Sequence, residues 1–352
     1  NHAESRVHVS FWEQSNSLLQ APRLWKGNGK KVSMLFWQNS MHGAADVVLT
    51  PKPEHTPDGK TLTACWSNPL ALYSSLVAEL GPFPLHNYWS PMAGLPSSQW
   101  IVQAAERVWE RERPDVQLVY VPHLDYKLQR LGPNDPSVVR DLQEVDAVLA
   151  GLAAKVRGGG DTLMIAGDYG MYEVDTPIMP NLALREAGLL ATKLDGEGKL
   201  LMDYDASKAF VMADHQVGFL YARDEALPRA QEVLATLAGV DRIVAAGNLQ
   251  SLGLATARAG SAVLLARSNA WFAHDWWRND GEKPRWQFGV DIHNKPGYDP
   301  RELFFDPARK CIAQDPRLVK GSHGLVGDAE KWPVVLSDHP IAGNDATGIF
   351  PR

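Results

Sequence analysis

Short apolar runs alternate with amphipathic stretches along this chain. The runs lie at residues 31–37, 116–122, 162–168 and 263–268, and each is continuous rather than alternating with polar residues. Continuous apolar runs of this length predict strands that are buried on both faces. Strands of that kind are typical of a parallel sheet that is covered by helices.

Two amphipathic segments predict helices beside these strands. Residues 97–115 lead into the second strand, and residues 136–160 carry apolar side chains at helical spacing and end at three glycines. A strand, a helix and a further strand over residues 116–168 form a βαβ unit. The sequence therefore predicts an α/β fold, a three-layer sandwich with a mostly parallel central sheet.

The character of the sequence changes between residues 181 and 290. A Gly-rich turn, paired strands around Asp214-His215, and a helix followed by a strand succeed one another there. We expect residues 181–290 to form a smaller inserted, cap-like region. Residues 1–180 and 291–352 would then form the α/β core.

Composition narrows the class of protein. The 352 residues include 35 basic and 41 acidic ones, a formal net charge of −6, which argues against nucleic acid or an anionic membrane as the main partner. Two cysteines, Cys65 and Cys311, are too few for a disulfide framework or a Cys-rich zinc site. The sequence shows neither an apolar run of transmembrane length nor a signal peptide. The cellular compartment is therefore not determined, and the cytoplasm is slightly favoured.

Acidic residues follow two of the predicted strands. Asp125 comes just after the second strand, Asp168 ends the third, and His323 lies between glycines in "GSHG". Ligands of parallel α/β sheets bind beyond the carboxyl ends of the strands. One acidic strand end is often only the N-cap of the next helix. Two of them, together with a histidine in a Gly-rich loop, favour a shared binding site.

These segments also carry a family resemblance. "VPHLDYKLQRLGP" (121–133) resembles the strand-end motif of the nucleotide pyrophosphatase/phosphodiesterase branch of the alkaline phosphatase superfamily. "GDYGM" (167–171) resembles that branch's Asp-His-Gly-Met motif, and "GSHG" (321–324) resembles its late metal-binding histidine. The resemblance implies a metal-dependent hydrolase of phosphodiester or pyrophosphate bonds in a small molecule such as a nucleotide. It further implies two divalent metal ions, zinc first, with manganese or magnesium as alternatives.

The resemblance also assigns roles to residues. Asp125 and His323 would bind one metal ion and Asp168 the other, since carboxylate oxygen and imidazole nitrogen both suit zinc. Gln129 and Tyr169 stand where the family has histidines, and both are poorer zinc ligands than imidazole. These departures indicate a divergent bacterial subset. Either its metal preference is shifted toward Mn²⁺ or Mg²⁺, or one of its sites is weak.

The three motifs assign neither the nucleophile nor any residues that would orient the ligand. The family's nucleophile, a Thr or Ser, is expected before residue 1. His123, Asp291 and His293 are further candidates, either as metal ligands or as groups that orient a ligand. A solvent-exposed strand end is the alternative for His123, and a loop pair that pins the chain is the alternative for the other two. His215, beside Asp214, is more simply a buried histidine with a local partner.

Two other functions remain open at this point. A pseudoenzyme or ligand-binding shell would keep the fold but bind no metal, because both exchanged histidines weaken the sites. A mutase of the same superfamily would move phosphate to a second hydroxyl rather than release it. We favour the hydrolase because Asp125, Asp168 and His323 are all present.

Overall fold

A computed structural model of the chain describes residues 29–41, 43, 45–55, 61–62, 65–254, 256–290, 295–325 and 333–339. The α-helices are α1 (Ala71–Leu80), α2 (Leu95–Glu112), α3 (Asp125–Leu131), α4 (Ser137–Gly158), α5 (Pro180–Glu186) and α6 (Leu227–Ala235). The strands are β1 (Val32–Leu35), β2 (Val47–Pro51), β3 (Glu54–His55), β4 (Thr61–Leu62), β5 (Cys65–Asn68), β6 (Val116–Val119), β7 (Met164–Ala166), β8 (Tyr172–Glu173), β9 (Thr176–Ile178), β10 (Thr192–Leu194), β11 (Leu200–Met202), β12 (Ala209–Asp214), β13 (Val217–Ala222), β14 (Val240–Ala245), β15 (Ala262–Ala266), β16 (Ala270–Phe272), β17 (Phe305–Asp306), β18 (Cys311–Ile312), β19 (Gly321–Ser322) and β20 (Val335–Ser337).

The described residues divide into two compact units. Unit 1 comprises Asp125–Val138 and the described part of Tyr169–Trp332. Unit 2 comprises the described parts of Ser10–Leu124 and Pro333–Arg352, together with Val139–Asp168. The predicted division into a core and an inserted region at 181–290 stays a prediction. No helix within the described ranges is long and apolar enough to cross a membrane.

Unit 2 is built on a sheet with the strand order β5-β2-β1-β6. Strand β1 pairs in parallel with β2 and β6, and β5 closes one edge in the antiparallel direction. Strands β1 and β2 are buried along their whole length, and β1 lies in the run predicted at 31–37. The run at 116–122 was also predicted to be a buried strand, but Val116 of β6 is exposed and its other residues are half-buried. Helix α2 contributes Trp100, Ile101 and Val108 to the core beside this sheet, which confirms the predicted helix at 97–115.

The strand predicted at 162–168 is shorter and more exposed than its sequence suggests. Strand β7 pairs with β20 in the antiparallel direction, and Met164 and Ile165 on it are exposed. The prediction of a fully buried strand here was therefore wrong. An apolar run gives a segment strand propensity, but burial depends on which element covers it. Helix α4, predicted between the two strands, forms as expected and buries Val145, Leu152 and Val156.

Unit 1 is built on an antiparallel sheet with the strand order β12-β13-β15-β14. Strands β12 and β13 form the predicted hairpin around Asp214-His215, and helix α6 precedes β14 as predicted. Strand β15 is buried throughout and covers most of the run predicted at 263–268. The tryptophans of "WFAHDWW" lie in the interior, since Trp271, Trp276 and Trp277 are all buried. This sheet and its core carry the hairpin tip from which the candidate site is built.

Candidate functional site

Asp125 and Gln129 lie one turn apart on α3. Asp125 begins the helix, and Gln129 is buried on the same face. The Nε2 of Gln129 donates a hydrogen bond to Oδ1 of Asp125 at 2.8 Å, and the Tyr298 hydroxyl donates to Oε1 of Gln129 at 3.0 Å. An ionised carboxylate only accepts hydrogen bonds, so the amide nitrogen must face Asp125. Both polar ends of Gln129 are therefore engaged.

A glycine lets α3 approach the segment that carries His323. A Cβ atom at Gly321 would lie 2.1 Å from the backbone oxygen of Leu128, closer than any real contact allows. The backbone N–H of Lys320 donates to the backbone oxygen of Gln129 at 2.9 Å, which fixes the register of the two segments. Only glycine permits this approach. The helix of Asp125 is thereby held against the strand that leads to His323.

A second glycine brings Tyr298 to the tip of the β12–β13 hairpin. Gly297 has a φ of 124° and forms an isolated parallel bridge with Ala213. A Cβ atom at Gly297 would lie 2.2 Å from the backbone oxygen of Ala213. Because glycine has no side chain, the backbone of "KPGYDP" can approach Ala213 this closely. The approach places Tyr298 directly beside His215 at the hairpin tip.

Four aromatic rings stack into a row, which we call the ring row. Tyr298 stacks on His215 with ring centroids 4.6 Å apart, and His215 lies 3.7 Å from His323. His323 in turn stacks on Tyr169 at 3.6 Å, with the ring planes 8° apart. The backbone N–H of Gln216 donates to the backbone oxygen of His323 at 2.9 Å. The row therefore joins the "GDYGM" and "GSHG" segments to the hairpin tip.

The two histidines of the ring row are uncharged near neutral pH. Burial lowers the pKa of His215 to about 3. Burial, and then the neighbouring His215, lower the pKa of His323 to about 3, although Asp214 acts in the opposite direction. Each imidazole therefore keeps a nitrogen lone pair that a cation or a proton donor can use.

His215 occupies an unusual place for a histidine. It is only 8% exposed, and its φ of 56° lies in the left-handed region that glycine favours. Its Nδ1 is buried without a hydrogen-bond partner among the described residues. Its Nε2 lies 4.0 Å from Oδ1 of Asp214. The sequence interpretation of a buried histidine beside Asp214 is correct on burial, but it did not foresee the unpartnered nitrogen.

The hydroxyl of Tyr298 stays protonated and acts as a donor. Burial, and then the negative charge of Asp125, raise the pKa of Tyr298 well above its usual value. A hydroxyl that keeps its proton can donate to Oε1 of Gln129, in agreement with the amide orientation that Asp125 requires. Tyr298 was not among the residues predicted from the sequence, because only the fold places it beside α3.

A network of buried charges surrounds Tyr298 in the chain. Lys295 lies 3.1 Å from Asp299 and 2.7 Å from Glu302, measured from Nζ to the carboxylate oxygens. Arg301 contacts Asp299 through Nε at 2.7 Å, and its two terminal nitrogens reach both oxygens of Asp275 at 2.9 and 2.7 Å. We call these five residues the charge network. It fixes both ends of the loop that presents Tyr298.

The remaining predicted residues lie elsewhere. Asp168 is exposed just after β7 in unit 2. His123 also belongs to unit 2, where its side chain is largely buried and its Nε2 lies 3.7 Å from Oε2 of Glu144. His123, Asp141 and Glu144 offer ligand atoms that all lie within 4.8 Å of one another. A cation would find donors there, apart from the residues of unit 1.

The last two candidates belong to the segment 291–294. Asp291 and His293 lie outside the described residues. Their predicted role as ligands or orienting groups stays a prediction, as does the metal-binding role of Asp125, Asp168 and His323.

The chain matches a known protein family over most of its length. The family model described as "Type I phosphodiesterase / nucleotide pyrophosphatase" matches residues 2–299. That range includes the segments of Asp125, Asp168 and Tyr169, and it reaches Tyr298. A comparison with curated protein sequences gives no match.

Solved structures of related fold are distant in sequence. Murine ectonucleotide pyrophosphatase/phosphodiesterase 5 shares 12% identity over 89% of this chain and 61% of its own, with a TM-score of 0.48. Phosphonoacetate hydrolase from Sinorhizobium meliloti 1021, in complex with phosphonoformate, shares 15% identity over 90% of this chain and 68% of its own, with a TM-score of 0.50. The chain thus spans about six tenths of the length of the murine protein. The likeness to the hydrolase shows a shared mixed α/β fold.

Proposed function

Because the chain belongs to the Type I phosphodiesterase / nucleotide pyrophosphatase family, we propose that it is a metal-dependent hydrolase of phosphodiester or pyrophosphate bonds in a small molecule such as a nucleotide. The observation that carries this proposal is the contact between Tyr169 and His323, whose rings stack at 3.6 Å. These residues come from two motifs far apart in the sequence. Their contact supports a common site for both motifs.

The donor groups of unit 1 fit a divalent cation. Asp125 presents a carboxylate that Gln129 holds through one oxygen, and His323 presents an imidazole that is neutral at physiological pH. Carboxylate and neutral imidazole together suit zinc, and a set richer in oxygen suits manganese or magnesium. The buried, unpartnered Nδ1 of His215 adds a nitrogen that the protein itself does not satisfy. The fit supports Asp125 and His323 as ligands of one ion.

We assign Asp168 to the second ion, as the family resemblance implies. Bound divalent ions supply positive charge that stabilises the phosphoryl oxygens during displacement. The described residues supply the arrangement around them: Gln129 orients Asp125, and Tyr169 fixes the plane of the His323 ring. We propose a three-layer sandwich with residues 181–290 as its cap, and we assign the nucleophile to no residue of this chain.

One observation favours a second candidate function. Gln129 replaces a metal-binding histidine of the family, and both of its polar ends are engaged by Asp125 and Tyr298. A chain that has lost a ligand in this way could serve as a ligand-binding shell. The shell would bind a nucleotide without hydrolysing it.

Metal-dependent hydrolysis by the 352-residue chain separates these functions. The chain is stripped with EDTA, reloaded with Zn²⁺ or Mn²⁺, and given bis(p-nitrophenyl) phosphate. The hydrolase releases p-nitrophenol only when metal is present, and Asp125→Asn abolishes the release while the exposed Asp241→Asn does not. Absence of release alone would also follow from a missing nucleophile, so a Tm that rises with AMP but not with Zn²⁺ or Mn²⁺ would instead establish the shell. Transfer of phosphate to an added polyol, seen by phosphorus NMR, would establish a mutase.

A further inference from the structure

The carboxyl end of strand β6 and helix α4 bring together three side chains that can bind a cation. His123 follows β6 in the chain, and Asp141 and Glu144 lie on α4. Their ligand atoms, one from each residue, all lie within 4.8 Å of one another. We call these three residues the unit 2 cluster, because all of them belong to unit 2. One compact unit therefore holds the whole cluster, at the end of a parallel strand where α/β sheets bind ligands.

Two members of the unit 2 cluster are withdrawn from solvent. The side chain of His123 is only 6% exposed, which excludes a solvent-exposed strand end, the alternative for this residue. Asp141 is 8% exposed, and it is the only charged residue among those that α4 buries. A buried carboxylate is costly unless positive charge lies close to it. A cation held between His123 and Asp141 would supply that charge.

The gap between His123 and Glu144 suits two ligands of one ion. Nε2 of His123 lies 3.7 Å from Oε2 of Glu144. A hydrogen bond between these atoms would bring them to about 2.7–3.2 Å. Two atoms that bind one tetrahedral zinc ion at about 2.0–2.2 Å are themselves about 3.4 Å apart. The observed separation is therefore closer to that of two metal ligands than to that of a hydrogen bond.

Helix α4 orients both carboxylates of the cluster. Asp141 and Glu144 are three residues apart, so they lie on the same face of the helix. Nε of Arg140 donates a hydrogen bond to Oε1 of Glu144 at 3.1 Å, and the other oxygen, Oε2, is the one near His123. A hydrogen bond to one carboxylate oxygen fixes the direction of the other, as in the outer shell of metal sites. The helix thus presents two carboxylates to the imidazole at the strand end.

We propose that His123, Asp141 and Glu144 form a binding site for one divalent metal ion, Zn²⁺ or Mn²⁺, which ties the end of β6 to α4. One imidazole nitrogen and two carboxylate oxygens suit these ions, whereas Mg²⁺ and Ca²⁺ prefer oxygen ligands alone. The two carboxylates balance the charge of the ion, and three protein ligands leave at least one position for water. The site contains none of the residues proposed to bind the ions of hydrolysis, and it goes beyond that function.

Metal binding is tested in a chain that lacks the ligands proposed for hydrolysis. The full chain carrying Asp125→Asn, Asp168→Asn and His323→Ala, which we call the background chain, is stripped with EDTA. It is then titrated with Zn²⁺ and with Mn²⁺ by calorimetry. We expect one ion to bind and the Tm to rise with metal, because the ion binds the folded chain.

Substitutions in the background chain then identify the ligands. Glu144→Gln and Asp141→Asn keep the shape of each side chain but remove its charge. We expect each to lower the Zn²⁺ affinity at least about 100-fold, since groups that only orient a ligand already contribute about 10–100-fold. Asp146→Asn is the matched control, because this aspartate is exposed on the same helix, and it should leave the affinity unchanged. Glu144 is only half-buried, so Glu144→Gln should unfold at the Tm of the metal-free background chain.

Three results would overturn the site. The background chain could take up neither Zn²⁺ nor Mn²⁺, or Glu144→Gln and Asp146→Asn could bind Zn²⁺ equally tightly. Alternatively, Glu144→Gln could lower the Tm equally with and without metal, which would show an ion pair of histidine and carboxylate only. None of these results bears on hydrolysis, which is measured with Asp125, Asp168 and His323 intact. Because an ion in the unit 2 cluster would also raise the Tm of a ligand-binding shell, the comparison of AMP with metal is made in Glu144→Gln.

Discussion

Unit 1 contains two groups of buried polar side chains that are satisfied in opposite ways. In the charge network every charge meets an opposite charge within 3.1 Å, and Arg301 alone makes contacts to two carboxylates. In the ring row, His215 keeps a nitrogen without a partner among the described residues. The network is closed and can only hold structure. The row retains an unsatisfied nitrogen, and we propose it as the part of unit 1 that engages a ligand.

The two groups meet at one short loop. Lys295 and Arg301 anchor the loop on either side of Tyr298, and Tyr298 belongs to the ring row. Substitutions in the charge network should therefore affect ligand binding only by lowering the stability of the fold or by displacing Tyr298. Damage to the row should change ligand binding while most of the folding free energy remains.

Arg301→Ala should have the largest effect on stability. The substitution leaves Asp275 and Asp299 as buried carboxylates without their main partner, which typically costs about 3–5 kcal/mol. Arg317→Ala is a matched control, because its ion pair with Asp315 at 2.8 Å lies on the surface, where water screens it and its loss costs little stability. Urea unfolding of both variants measures the difference. Equal losses would contradict a structural role for the network.

Acid should weaken the network next. Burial alone would raise the pKa of Asp299 and of Asp275, but the charge of Arg301 outweighs it and holds both below their usual range. The unfolded chain therefore takes up these protons first, so the free energy of unfolding should fall as the pH drops below the ordinary aspartate value of 3.8. Urea midpoints at a series of pH values measure this decline. Asp275→Asn should make it shallower, and a decline of equal slope would contradict the prediction.

Gly321→Ala should separate α3 from the strand that leads to His323. The added methyl group would lie 2.1 Å from the backbone oxygen of Leu128, so the two segments must move apart. Overpacking of this kind costs about 1–3 kcal/mol. Gly196→Ala is the control, because a Cβ atom there meets nothing within 4 Å. Thermal unfolding of the two variants should differ by several degrees, and equal Tm values would contradict the close approach.

Tyr298→Phe should have the smallest effect. It keeps the ring that stacks on His215 but removes the hydroxyl that donates to Gln129, at a cost of about 1 kcal/mol. Tyr221→Phe, which loses a hydrogen bond of 2.8 Å to the backbone oxygen of Arg258, is the matched control. Zn²⁺ affinity should fall in the Tyr298 variant only, since the amide of Gln129 then holds Asp125 less firmly. Equal affinities in both variants would remove Tyr298 from the site.

Hydrophobic patterning predicted the type and position of helices and strands better than it predicted their burial and their contacts. Helix α4 and the β12–β13 hairpin have local signals, a helical apolar spacing and paired apolar runs, and both formed as predicted. Strand β7 has the same kind of signal but is exposed, because burial depends on distant segments. The sequence likewise predicted candidate motifs, but not the contact of His215 with His323, which lie about a hundred residues apart.

The two glycine contacts show why the site could not be assembled from the sequence. Gly297 and Gly321 each admit a backbone oxygen at a distance that no side chain would allow. A glycine in the sequence indicates that close approach is feasible, but it does not identify the approaching segment. Tyr298 was missed for this reason, since only the approach at Gly297 places it beside His215.

The left-handed backbone of His215 has a consequence for the evolution of this fold. A glycine at that hairpin tip would relieve strain, so selection for thermal tolerance alone favours losing the imidazole. Selection for ligand binding acts in the opposite direction. Laboratory evolution of the chain toward heat resistance, with no demand for activity, should therefore replace His215 early. The residue found at position 215 of an evolved variant would then show whether thermal stability or ligand binding had been selected.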